Sequence, residues 1–307
     1  MSAAGRIAAF AGLLVAIFAA AAVAGAELDP GVEEDGEHNE ETETMEEHET
    51  TTTTEAGAAA ALPGLAVAES GYRLIPERTT FSSEADGRYR FRIVTDTGET
   101  VQDFELEHER RMHLIIVRRD FAEFQHLHPR QLEDGSWEAE ADLREGGVYR
   151  AFADFATAGE SLTLGADLFV RGGFDPIDLP AEAHTAPAGD GYEVSLDSAP
   201  PKAGGVNPVR FTVSRDGRTL DSVEPYLGAD GHLVALREHD QAFLHTHPEG
   251  EPGGSGPISF AVEYPSAGRY RLFLQFRHDG EVRTAAFTQE VVGGPIDATE
   301  GENDGGH

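Results

Sequence analysis

An internal repeat is the feature that most constrains what this chain folds into. Residues in the second half match residues in the first half at an offset of 119 or 120 positions. A segment of this size is long enough to bury a core of its own. We therefore predict two copies of one domain, residues 63–171 and 191–292, with a proline-containing linker over residues 172–190. The matched residues are Gly71-Tyr72 with Gly191-Tyr192, Phe91 with Phe211, Gly98 with Gly217, and His113 with His232.

The repeated unit has the pattern of an all-β domain. Short runs rich in β-branched and aromatic residues alternate with clusters of Gly, Asp and Asn, which is typical of a β-sandwich or barrel. No stretch after residue 62 shows the 3.6-residue apolar period of a helix. The strands predicted in the first copy are Tyr89–Thr95, Thr100–Leu106, Met112–Val117, Trp137–Ala141, Val148–Phe155 and Leu162–Val170.

A Gly-x-Tyr-Arg sequence in each copy indicates which kind of sandwich this is. Immunoglobulin-like folds carry a tyrosine near the start of the sixth strand, two residues before a cysteine that links the sheets. Tyr149 and Tyr270 fit this position, and Ala151 and Leu272 stand where the cysteine would be. We therefore predict two tandem immunoglobulin-like β-sandwich domains. Since the chain has no cysteine, they depend on their apolar cores and not on disulfides.

The functional signal is a histidine hairpin that also occurs twice. In each copy a first histidine lies thirteen residues before a His-x-His-Pro sequence. Residues two apart on a strand point to the same face, so the last two imidazoles of each set lie side by side. A hairpin that closes symmetrically adds the first histidine to that face, whereas a slip of one residue removes it. The two sets are His113, His126 and His128, and His232, His245 and His247.

Three imidazoles with an open position suit Zn²⁺, and nitrogen donors without sulfur also suit Cu²⁺. The absence of cysteine excludes thiolate zinc sites and cysteine-containing blue-copper sites. As a fourth donor the second copy offers His278 and the first offers Asp154. We therefore predict Cu²⁺ or Zn²⁺ as cofactor and partner, for sequestration or delivery, with the second set as the better candidate. A further hypothesis is that the two hairpins face each other about a pseudo-twofold axis and share one site.

Two other functions are compatible with the same residues. In the first, the histidines brace structural corners, and the paired sandwiches present a surface to another exported protein. In the second, a zinc-bound water carries out hydrolysis, which requires a general base nearby. Asp154, Glu224 and Glu238 are the carboxylates available for that role. No catalytic residues are predicted.

Charge and composition limit which partners the protein can bind and predict the character of the remaining segments. The net charge of −33 argues against nucleic acid, because phosphate is bound mainly by Lys and Arg. Residues 27–55 contain thirteen Asp or Glu and no Lys or Arg, so we predict that residues 27–62 form a disordered acidic linker. Residues 293–307 have the composition of a disordered polar tail.

Residues 1–26 have the pattern of an export signal. Arg6 precedes an apolar run over residues 7–24, and Ala24-Gly25-Ala26 offers a cleavage site. An uncleaved membrane anchor is the alternative, since about 18 apolar residues can just span a bilayer. In both cases we predict that the rest of the chain lies outside the cytoplasm: secreted, periplasmic or at the cell surface. Contact with the membrane is then expected only through this segment, if it is not cleaved.

The repeated motifs also resemble a family of exported bacterial proteins. The resemblance covers residues 71–292 and rests on the His-x-His-Pro and Tyr-Arg-x-Phe sequences. Members carry one or two such β domains and sometimes accompany modules that handle heavy metals or copper. The resemblance implies a β-sandwich fold and export, points towards metal, and transfers no catalytic residue. The stretches that carry it are Met112–Val117, Phe124–Pro129, Tyr226–Val234, His245–Pro248 and Tyr270–Phe276.

Overall fold

The computed structural model describes residues 62–83, 87–244 and 246–293, and the regular structure of these residues is entirely β. The predicted export segment, the acidic linker as far as residue 61, and the polar tail from residue 294 lie outside the described residues. Among the residues described, no helix has the length and apolar character needed to cross a bilayer.

The first repeat consists of ten strands that form two five-stranded sheets. One sheet has the order β1-β2-β4-β8-β7 and the other the order β3-β10-β9-β5-β6. The strands are β1 (Ala68–Glu69), β2 (Tyr72–Pro76), β3 (Thr80–Ser82), β4 (Arg88–Thr95), β5 (His113–Arg118), β6 (Gln125–Leu127), β7 (Arg130–Gln131), β8 (Trp137–Glu140), β9 (Gly147–Thr157) and β10 (Glu160–Arg171).

The second repeat reproduces this architecture. A six-stranded sheet has the order β11-β12-β13-β18-β17 with β14 beside β13, and a four-stranded sheet has the order β16-β15-β19-β20. The strands are β11 (Thr185–Pro187), β12 (Tyr192–Asp197), β13 (Val206–Arg215), β14 (Arg218–Thr219), β15 (His232–Arg237), β16 (Phe243–Leu244), β17 (Thr246–Glu249), β18 (Ile258–Glu263), β19 (Gly268–His278) and β20 (Glu281–Val291).

Strand order makes both repeats immunoglobulin-like sandwiches, as the sequence predicts. The run β2-β4-β8-β7 follows the A-B-E-D order of that fold, and β5-β9-β10 follows its C-F-G order. The predicted tyrosine corner is present in both copies. The Tyr149 hydroxyl donates to the Glu145 carbonyl at 2.9 Å, and the Tyr270 hydroxyl donates to the Ser266 carbonyl at 2.8 Å.

Two stretches differ from the predicted elements. Residues 100–106 form no strand, although Phe104 is buried and packs edge-on against Trp137 and Phe155. Phe104 therefore lies in a loop that packs against the core. Because such a loop contains buried apolar residues, its sequence resembles that of a strand. Residues 185–187, within the stretch predicted as linker, form β11 and pair with β12.

The two repeats pack against each other through equivalent sheet faces. On β5, Leu114 points into the core of the first sandwich, whereas Ile115 points to the second repeat. The rings of Phe124 and Phe273 stack across the interface with centroids 3.9 Å apart and planes within 7°. Both repeats supply matching positions, as expected for a pseudo-twofold relation. The buried apolar residues of this interface are Ile115, Val117, Phe121, Phe152, Val234, Leu236, Phe243 and Phe273.

Backbone carbonyls near the hairpin loops add polar contacts to the interface. Gln241 is fully buried, and its amide donates to the Arg118 carbonyl at 3.0 Å. Arg119 donates to the Asp240 carbonyl at 3.2 Å. The hairpin of each repeat is thereby held against the hairpin of the other.

Replacing either corner tyrosine by phenylalanine tests the fold. Tyr149→Phe and Tyr270→Phe each remove one hydroxyl that donates to a carbonyl four residues earlier. A hydrogen bond of this kind contributes about 0.5–1.5 kcal/mol net, so we expect each variant to lose about that much free energy of unfolding. Urea denaturation followed by tryptophan fluorescence and circular dichroism measures the loss. Unchanged stability in both variants would contradict a structural role for the corner.

Candidate metal centre between the two repeats

Strand alternation brings the histidines of the first repeat to the interface. Ile115, which faces the second repeat, pairs directly with His126 on the neighbouring strand β6. Leu114 pairs with Leu127, and the same register continued by one position sets His113 opposite His128. This is the symmetric closure on which the sequence argument depends.

The three histidines of the first repeat form a compact group. Each offers one ring nitrogen, and these nitrogens all lie within 4.8 Å of one another. The closest pair is His113 Nδ1 and His126 Nε2, which are 3.0 Å apart. The ring centroid of His128 is 4.9 Å from that of His126 and 5.2 Å from that of His113.

The outer nitrogens of two of these rings are bonded to oxygen acceptors. His113 Nε2 lies 3.1 Å from the Glu107 carbonyl, which can only accept, so this nitrogen carries the proton. His126 Nδ1 lies 2.7 Å from Gln275 Oε1, while the Gln275 amide nitrogen donates to Thr284 Oγ1. With the amide in this orientation, His126 carries its proton on Nδ1. The two inner nitrogens then face each other at 3.0 Å, each with a lone pair.

His128 contributes a third nitrogen without a hydrogen-bond partner. Its Nε2 atom is buried and makes no hydrogen bond to the described residues. Buried polar atoms in folded proteins are almost always satisfied, so an exception requires an explanation such as a bound ion. The His128 ring also lines a surface cleft of about 510 Å³ with Arg88, Arg130, Glu138 and Glu140. His128 thus connects the group to this cleft.

His232 of the second repeat covers the pair formed by His113 and His126. Its ring lies parallel to His113, with centroids 5.5 Å apart and planes within 8°. It also stacks on His126, with centroids 4.7 Å apart. His232 joins the histidines of the first repeat across the interface.

An exposed histidine, His108, lies beside this cluster on a strained turn. Its ring centroid is 6.1 Å from that of His113 and 5.7 Å from that of His232. His108 and Glu109 have φ angles of 46° and 64°, in a two-residue turn closed by Glu107 and Arg110. Such turns usually contain Asn or Gly, and residues of other types cost about 1–3 kcal/mol each. The turn also supplies the Glu107 carbonyl that holds His113.

Burial keeps these imidazoles neutral. Loss of solvent, together with the neighbouring His113, lowers the pKa of His126 to about 3. Loss of solvent likewise lowers the pKa of His128 to about 4. The pKa of His113 is also lowered by burial, against the opposing effects of the Glu107 hydrogen bond and the Asp154 charge. The pKa of His232 lies well below its ordinary value for the same reason. Neutral imidazole is the form that binds metal.

Asp154 is beside the group but is not one of its members. It pairs in register with His113, and its carboxylate accepts a hydrogen bond from Thr163 Oγ1 at 2.7 Å. The residue is 9% exposed. Asp154 therefore places negative charge next to His113, but its carboxylate does not belong to the group formed by the three ring nitrogens.

The second histidine set is arranged differently from the first. In this repeat the return strand β16 ends at Leu244, and β17 then pairs with β18 of the other sheet. His247 therefore lies in the other sheet of this repeat, where it is exposed and pairs with Ala261. His278 lies at the end of β19, where its Nδ1 is 2.8 Å from the Tyr192 hydroxyl. His245 lies outside the described residues.

The other carboxylates considered as general bases are engaged elsewhere. Glu238 accepts a hydrogen bond from Arg269 at 2.9 Å, and Glu224 lies 3.7 Å from Arg277 and accepts from the Gly280 amide. Neither belongs to the histidine group that the described residues form. Sequence reasoning missed His108 and the role of Gln275, whose only signal was its alignment with Asp154.

The depressed pKa values predict acid sensitivity. His126 has a pKa of about 3 in the folded protein but about 6.5 in the unfolded chain, so the unfolded chain binds more protons between these values. Its contribution to stability is complete above pH 6.5 and is lost as the pH falls towards 3. We therefore expect the urea midpoint of the wild type to fall more between pH 7.5 and 5 than that of His126→Gln. His184→Gln, at an exposed histidine, serves as the control and keeps the wild-type slope. Equal slopes for all three proteins would contradict this account.

Several solved structures are similar to this chain at low sequence identity. InvD of Yersinia pseudotuberculosis is 11% identical over 77% of this chain and 62% of its own, with a TM-score of 0.24. FdeC, an adhesin of Escherichia coli, is 11% identical over 74% of this chain and 66% of its own, with a TM-score of 0.23. Titin A168–A169 is 11% identical over 72% of this chain and 97% of its own, with a TM-score of 0.19.

The comparison with curated proteins gives no match. One family model matches twice in tandem, over residues 67–172 and 185–293, and together these segments make up more than half of the chain. Each segment contains one of the two sandwiches described above. The chain therefore belongs to the family described as Domain of unknown function (DUF8832), of which it carries two copies.

Proposed function

We propose that this protein binds one divalent transition-metal ion, Cu²⁺ or Zn²⁺, through His113, His126 and His128. One observation carries the proposal: the inner nitrogens of His113 and His126 face each other at 3.0 Å while their outer nitrogens are bonded to oxygen acceptors. Two lone pairs at this distance repel each other unless a cation lies next to both. A proton is one such cation, but burial disfavours it at neutral pH. A metal ion is the alternative that three imidazoles favour.

The spacing of the rings agrees with a common metal ion. Nitrogens bound at the usual 2.0–2.1 Å are about 3.3 Å apart in a tetrahedral site and about 2.9 Å apart in a square-planar one. The observed 3.0 Å lies between these values. His128, whose ring nitrogen lies within the 4.8 Å limit of the group, supplies the third ligand. The oxygen acceptors on the outer nitrogens are the kind of second partner that metal-binding histidines almost always have.

The surroundings favour sequestration or delivery over catalysis. Asp154, which pairs in register with His113, is buried and bonded to Thr163, while Glu238 and Glu224 are engaged with Arg269 and Arg277. His128 lines the surface cleft together with Arg88, Arg130, Glu138 and Glu140, and Glu138 is paired there with Arg130. The cleft gives an ion a route from solvent to the His128 ring.

The location of this function rests on the amino-terminal pattern. A positive residue, an apolar run and a small-residue cleavage site precede the acidic segment. We therefore place the metal-binding sandwiches outside the cytoplasm.

Titration of the full chain with Cu²⁺ and Zn²⁺ tests the proposal. We expect one ion to bind above the weak background of the acidic segments. His128→Ala removes a ring whose Nε2 makes no hydrogen bond to the described residues, so the fold is retained while a ligand is lost. The loss of one ligand is expected to lower the affinity by at least about 100-fold. This exceeds the effect of removing only the hydrogen-bond partner of a metal-binding histidine, which is about 10–100-fold. Calorimetry gives the affinity, and electron paramagnetic resonance of the Cu²⁺ form reports bound imidazole nitrogens.

His247→Ala is the matched control, because it removes an exposed histidine from the other sheet of the second repeat. We expect it to keep the stoichiometry and affinity of the wild type. A second bound ion that disappears in His247→Ala would show that the second set also binds. Equal binding by the wild type and His128→Ala would overturn the proposal.

A structural interaction module is the second candidate. The observation in its favour is that the rings lie within an interrepeat interface and stack on one another, as His232 does on His113 and His126. In this function the histidines brace two docked sandwiches that present an outer surface to another exported protein. If the protein is a structural interaction module, it shows no saturable metal binding. His126→Gln then loses thermal stability whether or not metal is present.

A further inference from the structure

We infer that the second repeat positions the metal ligands of the first, with Gln275 acting as the residue that sets the tautomer of His126 across the interface. The consequence for metal affinity rests on the proposed function, whereas the effect on the tautomer does not. Gln275 lies on β19 of the second repeat, and His126 lies on β6 of the first. The two are joined by a hydrogen bond of 2.7 Å.

The Gln275 side chain is held in a fixed orientation. It is 8% exposed, and its amide nitrogen donates to Thr284 Oγ1 on the adjacent strand at 3.3 Å. Its oxygen is thereby left to accept from His126 Nδ1. An acceptor on one ring nitrogen places the lone pair on the other, which here is the inner Nε2. Second partners of this kind also fix the orientation of the ring and raise its basicity as a ligand.

Asp154, at the equivalent position in the first repeat, makes different contacts. His113 pairs with Asp154 on β9, and His232 pairs with Gln275 on β19, so Asp154 and Gln275 occupy matching places. Asp154 accepts from Thr163 within its own repeat, whereas Gln275 reaches the other repeat. The two copies have therefore diverged. The first supplies the three proposed ligands, and the second supplies the residue that orients one of them.

His232 adds a second contribution from the same repeat. Its ring covers both His113 and His126 by stacking, and it is the histidine that matches His113 in the second copy. Stacked above the pair, it keeps water away from the inner nitrogens. Docking of the second repeat therefore organises the site. By thermodynamic reciprocity, a bound ion strengthens that docking by the same factor.

Two substitutions at one position test the role of Gln275. Gln275→Leu removes the acceptor, and Gln275→Glu keeps an acceptor oxygen at the same place. In metal-free protein, imidazole nitrogen NMR should show the His126 proton on Nδ1 in the wild type and in Gln275→Glu. In Gln275→Leu this preference should be lost. With Zn²⁺, we expect Gln275→Leu to bind about 10–100-fold more weakly than the wild type, and Gln275→Glu to recover most of the loss.

Gln289→Leu is the control for simple loss of a buried amide. Gln289 is buried on β20 of the same repeat, where it bonds to Tyr264 and Ser198. This variant should lose stability but keep the tautomer of His126 and the Zn²⁺ affinity. If Gln275→Leu does not fold, Gln275→Asn makes the same comparison, because its shorter side chain cannot reach His126.

The outcomes separate this inference from the proposed function. A wild type that binds no Zn²⁺ would remove the proposed function, and the tautomer measurement would still decide whether Gln275 orients His126. A wild type that binds Zn²⁺, together with a Gln275→Leu variant of unchanged tautomer and affinity, would overturn the inference alone. A Gln289→Leu variant as weak as Gln275→Leu would also overturn it, since general destabilisation would then explain both.

Discussion

The interrepeat packing is the interaction on which the candidate site depends. Ile115 and Val117 of the first repeat meet Val234 and Leu236 of the second, and these contacts bring together two sheet faces that would otherwise face water. The free energy gained by burying apolar groups is roughly proportional to the apolar area removed from water, so these contacts stabilise the interface. The histidines lie on the same faces. They are therefore desolvated by the packing and not by a pocket of their own.

A single periodicity produces both the interface and the site. Alternate residues of β5 point to the second repeat, so the face that carries Ile115 and Val117 also carries His113. The paired strand β6 adds His126 in register with Ile115. On β15 the same alternation places His232 on the face of Val234. Polar rings at the end of an apolar stripe are costly to bury unless they are satisfied. Hydrogen bonds to the Glu107 carbonyl and to Gln275 offset part of that cost here, and the proposed cation would offset the rest.

Much of this arrangement could be predicted from the sequence because it depends on short-range periodicity and on repetition. The 119-residue offset predicts two like domains, and the Gly-x-Tyr-Arg sequences predict the corners at Tyr149 and Tyr270. Symmetric closure of the first hairpin predicts the face shared by His113 and His126. Residues 100–106 misled the strand prediction, because a loop that buries Phe104 has the same apolar pattern as a strand.

What could not be predicted are the features that depend on long-range geometry. The return strand of the second hairpin crosses into the other sheet, where His247 pairs with Ala261, although both hairpins have the same histidine spacing. Duplication keeps spacing, but each copy is free to change once one site suffices. Gln275 illustrates the result: at the position of Asp154, it serves the other repeat and not its own. Two copies that began alike have thus become unequal partners around one histidine group, and only their docked arrangement reveals this division of roles.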